Sequence, residues 1–203
     1  MNMIIDLRTG VNTVADGSLV QARAGKTGEL ITGIAHGNLF ESASRKKIFF
    51  AANQTPATWT VGITTTYTGL VVSNPAGSNV NLSMLKASFA LSAAPVAVAE
   101  IGLFGGFIAA GLVTHTTPVA PACTYLGGTT GSGLADAAAT LPAGSVLLLP
   151  LMGGFTAATL PSVNPVVIDL DGSFIVPPGG WFGICALTAV VGFGGILWEE
   201  VSA

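Results

Sequence analysis

Two histidines, two cysteines, ten carboxylates and seven cations are the groups with which this 203-residue chain could do chemistry. The histidines stand apart, His36 in "GIAHGNLF" and His115 in "VTHTTP". Neither has an Asp, Glu or Cys at helix or hairpin spacing to complete a metal site, and no Gly-x-Ser-x-Gly turn presents a nucleophile. "AGKTGEL" (24–30) contains Gly-Lys-Thr, but a phosphate-binding loop needs a glycine five positions before Gly25, where Val20 stands. It reads as a turn. Asp169 and Asp171 alternate onto one face of a strand, either solvated or able to take a cation. "DLDGSF" departs from the calcium-loop pattern because Phe174 occupies the glycine position. Cys123 and Cys185 lack metal-type spacing and are expected as buried free thiols. These patterns lead to the expectation of no enzyme, no cofactor and no bound metal.

One stretch is better suited to binding than to catalysis. "SRKKIFF" (44–50) sets three cations before three large apolar residues. Arg45, Lys46 and Lys47 would steer toward an acidic surface, while Ile48, Phe49 and Phe50 would supply buried area. Together with Arg23, Lys26 and Phe40 they make the expected docking set. Nucleic acid is the weaker partner, because three adjacent cations give little affinity at physiological salt and the rest of the chain is acidic.

The composition sharpens that expectation. Half the chain is hydrophobic and only 8% is charged, against about 25% in an average soluble domain. A surface built from Thr, Ser, Asn, Gly and Ala hydrates poorly, so much of it is expected to be buried against other copies or partners. The charge is also uneven. Residues 1–50 carry six positive and four negative groups; residues 51–203 carry one positive and six negative. The start, "MNMIIDLRTG", shows no charged segment followed by an apolar one, as a signal peptide would, so production in a cytoplasm is expected.

The elements follow from texture and punctuation. Residues 1–50 mix glycine, polar and charged residues without a sustained period, and read as an extended arm. Residues 51–203 read as the body. "TWTVGITTTYTGLVV" and "VNLSMLKASFAL" predict strands separated by the turn formers "NPAGSN". Further strands are predicted over Val96–Phe104, Phe107–Val113, Ser145–Leu149, Pro165–Val176, Trp181–Val191 and Ile196–Val201. Pro118–Pro142 reads as a long loop with a helical turn at "LADAAAT". Glycine pairs in "LFGGFI", "LMGGFT" and "GFGGIL" read as a reused hairpin-turn device. The uncharged run Trp181–Trp198 is just long enough to cross a bilayer as a helix. Its interior glycines, each costing about 1 kcal/mol of helix propensity, and the lack of flanking cations favour a strand apolar on both faces. Trp181 and Trp198 are then expected near one another across a hairpin.

The arm and first strands, "GKTGELITGIAHGNLFESASRKKIFFAANQ" and "TTTYTGLVVSNPAGSNVNLSMLKASFAL", together with the later "VPPGGWFGICAL", resemble tailed-bacteriophage virion structural proteins. The resemblance is to capsid decoration (cement) proteins and related small trimeric head proteins. It implies a homotrimer on the outer capsid surface, bound to the major capsid protein, with arms that clamp neighbouring capsomers and no enzymatic activity. It implies no nucleic-acid or membrane partner. A phage fibre or glycan-binding module and a head–tail or tail component are the alternatives. The fold expected is all-β, an antiparallel two-sheet sandwich of jelly-roll type.

Overall fold

Thr, Val, Ile and aromatic side chains crowd the sequence from Ile48 onward, and such branched or planar groups fit a pleated surface. The structure, a computed structural model, describes residues 39–59, 63–155 and 165–203. The chain divides into two units, Met1–Phe40 and Glu41–Ala203, and the architecture below belongs to the second. A short helix, α1 (Phe40–Ser44), precedes the strands β1 (Ile48–Ala52), β2 (Ala57–Trp59), β3 (Thr66–Ser73) and β4 (Val80–Leu91). There follow β5 (Ala99–Phe107), β6 (Thr114–Val119), β7 (Ala122–Cys123) and β8 (Leu134–Thr140). The last four are β9 (Val146–Phe155), β10 (Val166–Val176), β11 (Gly180–Ala186) and β12 (Val190–Ser202).

Eight of these strands form two antiparallel sheets in the orders β1-β12-β4-β10 and β3-β11-β5-β9. The chain crosses between sheets at each step except β5 to β9, which is the wiring of a jelly roll. The expected all-β sandwich is therefore the observed fold. Four more strands extend it: β2 pairs with β12, β7 with β1, and β8 then β6 continue outward from β3.

The main core lies between the sheets. Trp59, Leu70, Leu82, Met84, Leu103, Phe182, Ile184 and Trp198 meet there, all fully buried. A second cluster lies on the outward face of the β3 sheet, where Tyr67, Val71, Phe104, Trp181 and Cys185 pack with Leu141. The segment between β5 and β9 explains it. It leaves β5 at one side of the sheet, supplies β6 and β8 at the other, and returns. Val113, Leu141 and Ala143 of its crossings pack on the outward face, and the Trp181 Nε1–H donates to Ser145 Oγ at 2.8 Å. Every residue of β11 is consequently buried.

Several expectations change. "LADAAAT" is strand β8, because pairing with β3 and β6 on its two sides outweighs the helix propensity of its alanines. Phe107–Val113 holds no strand beyond Phe107; the chain crosses the sheet there and the strand begins at Thr114. The glycine pairs are not turns. Gly105 and Gly106 lie within β5, Gly153 and Gly154 within β9, Gly194 and Gly195 within β12. A Cβ at Gly106 would fall inside the Trp181 indole, and one at Gly183 would stand 2.6 Å from the Phe104 ring. Close packing, not positive φ, requires glycine at these two sites. Trp181 and Trp198 also part company. Trp181 lies on the outward face of β11, opposite to Phe182 and Ile184, while Trp198 on β12 joins those two in the main core, so the two indoles sit in different clusters. The expected division at residue 50 falls inside β1, which is hydrogen-bonded to β12 and β7. No helix among the described residues is long and apolar enough to cross a membrane.

Candidate docking surface

The basic segment is built onto the edge of the first sheet. Helix α1 ends in a double hydrogen bond: the Lys46 N–H donates to the Ala43 carbonyl at 3.0 Å, and the Lys47 N–H to the Ser42 carbonyl at 2.9 Å. This closing pattern puts the residue at Lys46 in the left-handed region, and its φ is +61°. Glycine is the usual occupant of such a position. A lysine there costs about 1 kcal/mol of backbone strain. Arg45, Lys46 and Lys47 are all exposed, as is Phe40.

β1 then divides the apolar half of the expected docking set. Phe49 turns into the core, its ring 6.3 Å from that of Trp198. Ile48 is 3% exposed and Phe49 4%. Both are consumed by this chain's own packing, so the expectation that they give area to a partner is corrected. Phe50, on the opposite face of the strand, keeps more than a third of its surface exposed. Arg23 and Lys26 lie outside the described residues.

A second segment joins this surface from far along the chain. The Thr124 N–H and Oγ1–H both donate to the Ile48 carbonyl, at 2.9 and 3.2 Å. They pin the loop after β7 beside the basic cluster. A turn follows, closed by the Gly128 N–H on the Tyr125 carbonyl with Gly127 at positive φ. It holds Tyr125 at 51% and Leu126 at 87% exposure. Lys46 Nζ stands 5.3 Å from the Tyr125 ring centroid, within cation–π range. Sequence reasoning missed these two residues; the available signal was a large apolar pair in front of Gly-Gly in "ACTYLGG".

Elsewhere among the described residues several polar groups pair within the chain. Lys86, the remaining lysine or arginine among the described residues, pairs with Asp169 at 2.8 Å. Asp171 has φ +46° in a bulge with Gly172, where the β10–β4 register jumps from Asp169↔Lys86 to Phe174↔Met84. The Glu200 carboxylate accepts from the Ser132 and Gly133 N–H groups at 2.7 and 2.8 Å, tying β12 to the loop before β8. His115 and Asp136, 21 residues apart, meet across the β6–β8 pair with Nδ1 and Oδ2 at 2.6 Å. Asp136 is fully buried and its Oδ1 has no partner. Burial pushes its carboxyl above the usual range, and the His115 hydrogen bond and charge act in the opposite direction. Cys123 and Cys185 are buried free thiols, as expected, and burial also pushes the Cys185 thiol up. Among the described residues no three His, Cys, Asp or Glu side chains are grouped to hold a metal ion.

An apolar cleft of about 310 Å³ opens between β10 and the second sheet, lined by Phe107, Val146, Leu148, Phe174, Ile175 and Trp181. It carries no charged group, in contrast to the basic surface built on β1. Comparison with protein-family models finds no match, and neither the curated proteins nor the solved structures compared show significant similarity to this chain.

Proposed function

We propose that this chain is a non-enzymatic structural protein of a tailed-phage virion, a capsid decoration protein. In this reading it is made in the host cytoplasm and binds the outer shell as a homotrimer. It bridges capsomers through contacts with the major capsid protein. The observation that carries the reading is a charge-poor jelly roll with large apolar side chains left uncovered. Val96, Leu112, Leu126, Val146 and Ile175 are between 62% and 87% exposed, while only 8% of the chain is charged. So many open apolar groups with so few charges around them suit a protein that works inside an assembly. The jelly roll adds support as an architecture that recurs in viral capsid domains, although lectins share it and the fold alone assigns no function.

Electron cryo-microscopy of the virion carrying this chain tests the proposal. The sandwich is expected in threefold groups on the outer face of the shell. Density at a fibre tip, in the tail or in a connector ring would overturn it. Selective binding of the full-length chain on a glycan array, with no density on the shell, would favour a receptor-binding module.

A further inference from the structure

We infer that Lys46 and Tyr125 form a platform that docks an acidic segment of a partner protein, a reading that rests on the proposed role in an assembly and names the chemistry of its contact. Three observations converge on it. Lys46 occupies a left-handed position where glycine is favoured, so the backbone holds a cation at a place that stability alone would give to another residue. Its ammonium stands over the face of an exposed Tyr125. Tyr125 and Leu126 project from a turn pinned by Thr124 to the strand that follows the basic cluster.

Charge selects the occupant. Lys46 and its neighbour Lys47 are exposed cations, whereas Lys86 is held by Asp169. Glu199 stands opposite Ile48 on β12, and the Glu200 carboxylate is taken up by the Ser132 and Gly133 N–H groups, so the excess of positive charge beside the two lysines is small. Affinity for nucleic acid grows with the number of phosphates neutralised, and so small an excess on an acidic chain provides little of it. One or two carboxylates flanked by apolar side chains match the surface better. Lys46 and its neighbours meet the charge; Tyr125, Leu126 and Phe50 offer the area.

The test uses the full-length chain and a random glutamate–tyrosine copolymer as the probe, with duplex DNA in parallel. The wild type is expected to bind the copolymer, and to bind it less tightly as salt rises. Lys46→Gly is expected to weaken binding about tenfold or more. Its unfolding temperature should stay unchanged or rise, because glycine relieves the left-handed residue. Tyr125→Ala should weaken binding in the same sense, and Lys86→Ala should leave it alone. Undiminished binding by Lys46→Gly, no binding by the wild type, or DNA bound as tightly as the copolymer would overturn the inference. A shell location with Lys46→Gly binding unchanged removes the platform and leaves the capsid reading. A tail location with the Lys46 dependence intact does the reverse.

Discussion

Asp136 is a carboxylate held where its type is disfavoured, fully buried with one oxygen lacking a partner. A carboxylate buried with one unpartnered oxygen is expensive in a medium that cannot solvate it, and His115 relieves one side only. Burial raises its pKa, so the folded chain holds this proton more tightly than the unfolded chain does. The stability that this binding contributes is complete below about pH 4, the unfolded value, and is lost as pH rises through the folded one. Asp136→Asn keeps an oxygen to accept from His115 and abolishes the titration. Its unfolding temperature, taken relative to wild type, is expected to increase between pH 4 and pH 7. Thermal melts of both proteins across that range check it, and a flat or falling difference would mean that His115 fully compensates the burial. Lys46 belongs to the same scale, a strained residue whose value lies in where it places a charge.

At the scale of elements, the connections between sheets carry much of the specificity. Asn74 is buried at the start of the β3–β4 turn, and its Nδ2–H₂ donates to the Val80 carbonyl at 2.7 Å and the Val176 carbonyl at 2.9 Å. Its backbone exchanges hydrogen bonds with Gly179 and Gly180, so one side chain staples two crossings at the same end of the sandwich. Asn74→Ala removes one donor from each carbonyl, leaving Val80 the longer bond from Ser78 Oγ at 3.3 Å, and is expected to cost about 1–3 kcal/mol. Each kcal/mol should lower the unfolding temperature by roughly 2–4 °C for a chain of this size, as calorimetry can measure. Gly106→Ala acts through packing. The added methyl meets the Trp181 indole, and overpacking of about 1–3 kcal/mol is expected; an unchanged melt would show that the indole can move aside. "NPAGSN" was legible as a turn because Asn, Pro and Gly act locally. The glycine pairs were misread because their reason is not local: Gly106 is glycine on account of a tryptophan 75 positions later.

For the whole molecule, the long segment between β5 and β9 turns a two-layer sandwich into one with a second apolar cluster on its outer face. Exposed apolar groups remain on the β9 and β10 edges, in the loop around Val96, and within that long segment at Leu112 and Leu126. Sedimentation of the full-length chain should reveal a species of three times the 20.3 kDa chain mass. It should persist at about 1 M salt, because burial of apolar surface is not screened as ion pairs are. A monomer at every concentration, or a trimer that salt dissolves, would count against apolar self-association.

Sequence alone determined what depends on composition and short-range pattern. Branched and aromatic residues with dense punctuation dictate strands, and a charge-free run broken by glycines dictates burial in protein, as β11 bears out. The same pattern marked "SRKKIFF" as a cationic stretch running into an apolar one. Tertiary structure decided everything that rests on which strands become neighbours. It drew "LADAAAT" into a sheet, sent Trp181 and Trp198 to different clusters, took Ile48 and Phe49 into the core, and brought Tyr125 to Lys46 and Asp136 to His115. Strand pairing joins residues of any separation, and β-bulges shift the register as they do so. No local pattern encodes such meetings. They arise only when burial of both sheets fixes the wiring of the chain.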